Sequence, residues 1–219
     1  MISNSINQAT VTISKEALSK LPAAHITGSV ELIDRPEDVA EAVSDLRNAE
    51  IIGFDTETRP SFKKGLLHTV SLMQLATPAK CYLFRLNKIG FVKELIDILE
   101  DPDLLKIGLS IHDDFHSLRR LAPVDPKGFI DLQQYVKQFK ISDNSLSRIY
   151  GILFGERISK GQRLTNWEAE TLTPAQQGYA ALDAVACIRI YRHLQSGAFY
   201  PYTSPYLTFP DPLPPIPNS

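Results

Sequence analysis

Two cysteines in 219 residues exclude a disulfide framework and a cysteine-rich zinc site. Cys81 falls in an expected strand and Cys187 in an expected helix, so a reducing cytoplasm is the expected location. Long apolar runs are missing: no stretch approaches the length of a membrane span, and no membrane partner is expected. The first residues, Met1-Ile2-Ser3-Asn4-Ser5-Ile6-Asn7, lack the basic start and apolar core of an export signal. Basic residues are not in excess, with 23 Lys and Arg against 25 Asp and Glu and a formal net charge of -2. That balance excludes a broad cationic face for nonspecific duplex binding. It leaves open a nucleic-acid enzyme that grips a few nucleotides and gains local positive charge from bound divalent ions. Internal repeats are absent too. What is present is a globular balance, 43% hydrophobic and 22% charged, at a length that suits one domain with a sizeable core.

The patterning divides the chain into three parts. Residues 1–24 read as a polar N-terminal extension with a short helix near residues 15–21, and residues 25–199 as the main domain. Residues 200–219 hold seven of the chain's 15 prolines and are expected to run extended as a strap along the surface. Within the main domain a strand is expected at 30–33 and a helix at 36–49, which has Pro36 in its first turn and Val39, Ala42, Val43 and Leu46 at helical spacing. Strands follow at 51–57, 68–76 and 81–86; the first two are separated by a loop at 59–67, and together they imply an antiparallel meander. A helix marked by Phe91, Leu95, Ile98 and Leu99, a buried strand at 104–111, a helix at 112–121 and a short strand at 129–132 come next, and the pattern is then largely helical to Leu194. Strands, then strand-helix alternation, then helices describe an α/β layer structure with a mixed sheet.

The chemistry begins at Asp55-Thr56-Glu57, which closes the apolar run Ile51-Ile52-Gly53-Phe54. Side chains alternate along a strand, so the two carboxylates share a face while Phe54 and Thr56 share the other. Unpaired, they repel and resist ionisation, which suits a divalent cation or a proton-transfer task. About one such triplet arises by chance in a chain this acidic, so the pair gains weight only with partners. Asp114 is one: it sits where a buried strand runs into a helix, on the face of Leu118 and Leu121. Asp113 instead shares a polar face with His116 and Ser117 and reads as favourable charge at a helix start. His112 and His116 read as hydrated surface histidines. The last partner is Tyr179-x-x-x-Asp183, i and i+4 on a helix that starts with a Thr173/Gln176 capping box and Pro174 at its first position. Gly178, costly inside a helix, suggests that backbone or substrate passes close by. Arg59, Lys63, Lys64, Arg157, Lys160 and Arg163 are the basic residues near these motifs, each by default a solvated surface charge.

In order, Asp55-x-Glu57, Asp114 and Tyr179-x-x-x-Asp183 resemble the DEDD superfamily of 3′-5′ exonucleases, in the tyrosine branch that includes RNase D and the Werner-type exonucleases. Val70–Ala76 is similar to the family's second strand, and Ser159-Lys160 through Leu164-Thr165-Asn166-Trp167-Glu168 resembles its K-x-x-Q-x-S-x-W stretch. The likeness covers roughly residues 30–194; Gly161 and the His112-Asp113 pair depart from it. At this length no accessory helicase, polymerase or helical domain is expected, so substrate choice falls to this domain or to a partner.

The resemblance implies an RNase H-like mixed five-stranded sheet with helices on both faces. It implies that Asp55, Glu57, Asp114 and Asp183 hold two Mg2+ or Mn2+ ions, for which oxygen ligands are suited. Asp55 would bridge both ions, Glu57 and Asp183 would serve the ion that activates water, and Asp114 would act through the other. Tyr179 would orient the water, and Thr56 and Met73 would touch the terminal nucleotide. The expected reaction removes nucleoside 5′-monophosphates from the 3′ end of DNA. An RNase D-like exoribonuclease is the first alternative and a catalytically silent nucleic-acid-binding module the second. A glycosidase using Asp55 and Glu57 as acid and base is a third, and it leaves Tyr179 and Asp183 unexplained.

Overall fold

One sheet with two apolar faces organises the chain. The computed structural model describes residues 8–63 and 65–210, so Lys64, the first seven residues and the proline-rich end at 212–217 lie outside the described residues. In chain order the elements are β1 (Thr10–Val11), α1 (Lys15–Lys20), β2 (Ser29–Ile33), α2 (Val39–Arg47), β3 (Ile51–Thr58), β4 (Val70–Ala76) and β5 (Lys80–Phe84). They continue as α3 (Leu86–Ile89), α4 (Lys93–Glu100), β6 (Leu105–Gly108), α5 (Ile111–Leu118), β7 (Phe129–Asp131), α6 (Leu132–Tyr135), α7 (Leu146–Phe154), α8 (Pro174–Gln195) and β8 (Leu207–Thr208).

The main sheet runs β2-β5-β4-β3-β6-β7. β3, β4 and β5 form the expected antiparallel meander, while β2, β6 and β7 join by parallel pairing. The mixed α/β sheet is therefore as expected, but it has six strands rather than five. The short β7 completes it, because Lys106, Ile107 and Gly108 pair in register with Phe129, Ile130 and Asp131. Helix α2 begins later than the proline suggests: residues Pro36–Asp38 are a 3-10 turn, and the α-helical hydrogen bonds start at Val39.

Alternation along β3 sends Ile52 and Phe54 to one face, where they pack with Met73, Leu75 and Phe84 against α2 and α4. Ile51 goes to the other face, with Leu72, Cys81, Leu83 and Ile107 beneath α8. Each fully buried Leu or Ile contributes about 1.5–3 kcal/mol, so both layers are strongly held. Helix α8 is started by the expected capping box: Thr173 accepts from the Gln176 backbone and Gln176 reaches back to Thr173. It lies so close over β3 that a Cβ at Gly53 would fall 2.0 Å from the Ala184 carbonyl oxygen. Only glycine fits there, and that approach brings the middle of α8 down onto the strand that carries Asp55.

Two peripheral features matter for the site. Val11 and Ile13 are fully buried, and β1 pairs antiparallel with β8, so the start and end of the described chain strap across the same core. Lys106 is fully buried on β6, where its ammonium donates to the carbonyls of Ile98 (3.1 Å), Asp101 (2.5 Å) and Leu104 (2.8 Å). Among the described residues no helix is long and apolar enough to cross a membrane.

Candidate active site

The end of β3 is where the acidic residues meet. One carboxylate oxygen from each of Asp55, Glu57 and Asp183 lies within 4.8 Å of the others, and Glu57 and Asp183 are buried. Asp55 and Glu57 share the α8 face of β3 because of the two-residue period, and Asp183 comes down from α8 because Gly53 lets Ala184 approach. The strand period alone accounts for the first pair. The third member depends on the helix being close.

Asp114 arrives by a different route. β6 stops at Gly108, three residues short of the expected strand end, because the chain turns sharply there. A Cβ at Gly108 would fall 2.4 Å from Ile111, and Ser110 sits in the left-handed region at φ 60° with its N–H donating to Asp131 at 3.0 Å. A non-glycine residue in that region carries a strain of about 1 kcal/mol or more. The turn launches α5 so that Asp114 points inward and accepts from the Thr56 hydroxyl, while Asp113 faces solvent. Asp114 thus stands beside the trio through Thr56 and is not a member of it.

The electrostatics are those of crowded like charge. Burial, then Asp183, Asp114 and Glu57, push the Asp55 carboxyl well above its ordinary value, against a hydrogen bond from the Thr56 N–H. Glu57 is pushed up to about 9 by burial and by Asp183 and Asp114. Asp183 rises to about 7 through burial, although the Tyr179 hydroxyl bonds it and Lys160 attracts it. Asp114 rises to about 6, again chiefly through burial, with the Thr56 hydrogen bond opposing. Burial and the charges of Asp183 and Glu57 raise the Tyr179 hydroxyl, so it remains a donor at neutral pH. The ion pairs among the described residues lie elsewhere, as at Arg59–Glu168 and Arg148–Asp143.

Asp55, Tyr179 and Asp183 line a cleft of about 300 Å³ together with Lys160, Arg163 and Cys187. Lys160 and Arg163 are therefore not merely solvated charges: each opposes the charging penalty of a carboxylate, Lys160 at Asp183 and Arg163 at Glu57. Arg157 takes no part; its side chain donates to the Leu21 carbonyl and holds the N-terminal strap. His112 and His116 are exposed, as expected. Cys187 is buried and its thiol is held protonated by burial and by Asp55 and Asp183.

Two expectations need correction. Met73 lies opposite Thr56 on β4 and is fully buried in the α2/α4 layer, so it offers no surface to a nucleotide. The hydroxyl and N–H of Thr56 serve Asp114 and Asp55 instead, which makes it a positioning residue for the acids. No backbone passes close to Gly178 either. A Cβ there would meet nothing within 4 Å, and the glycine opens onto a cavity of about 490 Å³ beside Tyr179.

The donor set fits hard divalent cations. It is all oxygen, it gathers three carboxylates within 4.8 Å, and its raised carboxyl values are those of acids that lack counter-charge. Gln74, opposite Asp55 on β4, adds a fully buried amide with neither Nε2 nor Oε1 hydrogen-bonded, so polar capacity is left over on the same face.

A mixed sheet whose third strand ends in paired carboxylates, beneath a helix carrying a Tyr–Asp pair, is the architecture of the DEDD exonucleases. The family model described as 3′-5′ exonuclease matches residues 30–197, and the chain belongs to that family of hydrolases. It is 32% identical over 164 residues to the bifunctional 3′-5′ exonuclease/ATP-dependent helicase WRN of Mus musculus, covering 72% of this chain and 12% of that one. A 3′-5′ exonuclease of Arabidopsis thaliana is 30% identical over 163 residues, covering 72% and 57% respectively. The chain thus spans a minor part of the mouse protein and over half of the plant one. Its fold matches the Nibbler EXO domain of Aedes aegypti at TM-score 0.71 and 23% identity, covering 82% of this chain and 96% of that one. Escherichia coli RNase D matches at TM-score 0.68 and 22% identity, covering 78% and 45%.

Proposed function

We propose that this protein removes nucleoside 5′-monophosphates one at a time from the 3′ end of DNA, using Asp55, Glu57, Asp114 and Asp183 to hold two Mg2+ or Mn2+ ions. The observation that carries this reading is the convergence of Asp55, Glu57 and Asp183 within 4.8 Å, beside a cleft that Asp55 and Asp183 line together with Tyr179, Lys160 and Arg163. Bound divalent ions supply Lewis-acid stabilisation of phosphate charge and lower the pKa of water. The protein's own groups do the rest. Asp55, within 4.8 Å of both Glu57 and Asp183, would hold the ions together with them. Tyr179, protonated and donating its hydroxyl hydrogen to Asp183, orients the attacking water by accepting from it at the hydroxyl oxygen. Lys160 and Arg163 bring positive charge to the same cleft, where a phosphate would sit. Thr56 keeps Asp114 and Asp55 in place.

DNA is the first substrate because the family model takes its name from the exonuclease of A-type DNA polymerases. RNA is the second: Trypanosoma brucei RNase D, solved in complex with RNA U12, shares this fold at TM-score 0.68 and 22% identity. The carboxylates do not read the 2′ position, so sugar choice lies in pocket shape. We place the protein in the cytoplasm, with both cysteines free and buried as a reducing compartment permits. We take residues 25–199 as the exonuclease domain, with 1–24 as the polar N-terminal extension and 200–219 as the Pro-rich C-terminal tail.

The test is parallel digestion of 5′-labelled DNA and RNA strands with Mg2+, with Mn2+ and with EDTA. A ladder shortened one nucleotide at a time from the 3′ end, nucleoside 5′-monophosphate product and silence in EDTA are expected. Internal cuts, or no hydrolysis with either metal, would overturn the reading.

A further inference from the structure

Gln74 sits in the middle of β4, fully buried, and neither its Nε2 nor its Oε1 has a hydrogen-bond partner among the described residues. The two-residue period puts it with Leu72 and Ala76 on the face beneath α8. Across the sheet its partners in register are Leu83 on β5 and Asp55 on β3. Leu72, Ala76 and Leu83 are apolar and fully buried, so Asp55 is the polar member of its four nearest neighbours on that face.

A buried amide without partners destabilises the fold, because it gives up hydrogen bonds to water and gains none in return. Leucine or methionine would fill the same space among Leu72, Ala76 and Leu83 without that loss. The amide is instead kept beside the carboxylates. Directly opposed residues of an antiparallel pair have Cβ atoms about 4.5–5.5 Å apart, and both side chains here leave the sheet on the same face. Glutamine carries its amide nitrogen three atoms beyond Cβ and aspartate carries its oxygens two atoms beyond, so the pair spans that gap with no shift of either strand. Torsion about the last bond of a glutamine is soft, which lets the amide turn its nitrogen toward an acceptor. Asp55 accepts the Thr56 N–H, and a carboxylate has lone pairs for several more donors.

We propose that Gln74 is a positioning residue for the metal ligands: its Nε2 donates to the Asp55 carboxylate when that carboxylate holds an ion, and fixes the oxygen that faces the cleft. Groups that hydrogen-bond a ligating carboxylate set its orientation, and losing one typically costs about 10–100-fold in metal affinity or activity. A hydrogen bond to an ionised acceptor is about twice as strong as a neutral one, so the amide gains most in the ion-bound state. What stands unpartnered in the metal-free chain is thus a donor ready for the loaded one, and β4 joins β3, α5 and α8 in building the site. The inference rests on the exonuclease reading and adds a residue outside the acid set.

The experiment titrates Mn2+ calorimetrically, without nucleic acid, into the unmodified chain, Gln74→Met and Gln74→Leu, and melts each in EDTA and in saturating Mn2+. Both variants are expected to bind Mn2+ about tenfold more weakly or worse. In EDTA they should melt no lower than the unmodified chain, because the amide they lose has no partner there, and Mn2+ should raise their melting points less. In hydrolysis the Mn2+ needed for half-maximal rate should rise by the same factor, while KM for the strand at saturating Mn2+ stays unchanged. Leu83→Met, a packing change at the neighbouring position, serves as control and leaves Mn2+ affinity intact. If the unmodified chain binds no Mn2+, or hydrolyses no labelled strand with it, the exonuclease reading itself falls. If it does both, and the Gln74 variants bind Mn2+ as tightly as it does or melt lower in EDTA, the Gln74 proposal alone is overturned.

Discussion

The buried Lys106 and the acids at the end of β3 make a contrast: the ammonium is met by three acceptors, while the carboxylates are crowded with more like charge than the nearby cations offset. Lys106 holds its ammonium 2.5–3.1 Å from three backbone carbonyls at the end of α4 and the turn after it. Burial lowers it to about 8, so it stays largely charged at neutral pH. Asp55, Glu57 and Asp183 crowd within 4.8 Å of one another; burial raises all three, and repulsion from the neighbouring carboxylates adds to it at Asp55 and Glu57. The first is a finished structural joint, a positive group capping orphan carbonyls at a helix C-terminus. The second is unfinished without a ligand. A folded chain tolerates such a cluster where binding later repays the destabilisation, which is the signature of a functional site.

The contrast breaks most sharply under substitution of the acids. Asp55→Asn or Asp183→Asn should lower turnover about 10³-fold or more, as loss of a group acting in a catalytic unit does. In EDTA the same variants should melt about 3 °C higher, because each removes about 1 kcal/mol of like-charge strain. Labelled-strand digestion and differential scanning calorimetry check the two halves; near-normal turnover, or a lower melting point, would break the distinction. Tyr179→Phe should lower kcat by about 10²-fold with little change in KM, since the hydroxyl acts on the reaction and not on strand binding. An unchanged kcat in steady-state assays removes its role in orienting water.

Lys106→Ala sharpens the other side. It removes the ammonium donor from three buried carbonyls and should cost about 3 kcal/mol by urea unfolding, while kcat per folded molecule stays unchanged. A stable Lys106→Ala protein would show that the joint is dispensable. The smallest effect is on pH. Carboxyls raised in the folded state, Asp114 to about 6, Asp183 to about 7 and Glu57 to about 9, add stability below their unfolded values near ~4. That stability is lost as pH rises through the folded values. The metal-free protein should therefore melt progressively lower from about pH 5 to about pH 9, and saturating Mn2+ should flatten or reverse the slope. A melting point that climbs across that window in EDTA would contradict the cluster's electrostatics.

Much of this was legible in one dimension because it follows from local periods. The alternation of Ile51, Gly53, Asp55 and Glu57 put both acids on one face, and Thr173, Pro174 and Gln176 announced the start of α8. The spacing of Asp114 from Leu118 turned it inward. The misses have a common cause, which is dependence on contacts far apart in sequence. Met73 came to the nucleotide only through the family resemblance, and the α2/α4 layer closes over it. Gly178 looked like the close approach, whereas Gly53 makes it, and only the crossing of α8 over β3 tells them apart. Lys160 and Arg163 looked like surface charge until the loop that carries them folded over the cleft.

The order of strands and helices, the pairing of acids on β3 and the Tyr179–Asp183 helix face were determined by the sequence alone, since each rests on a repeat of two or about 3.6 residues. Tertiary structure alone decided that these groups meet. The left-handed turn at Ser110 aims α5, and the missing Cβ of Gly53 admits α8. Distance across a fold is set by how closely backbones can pack, and no local pattern records it.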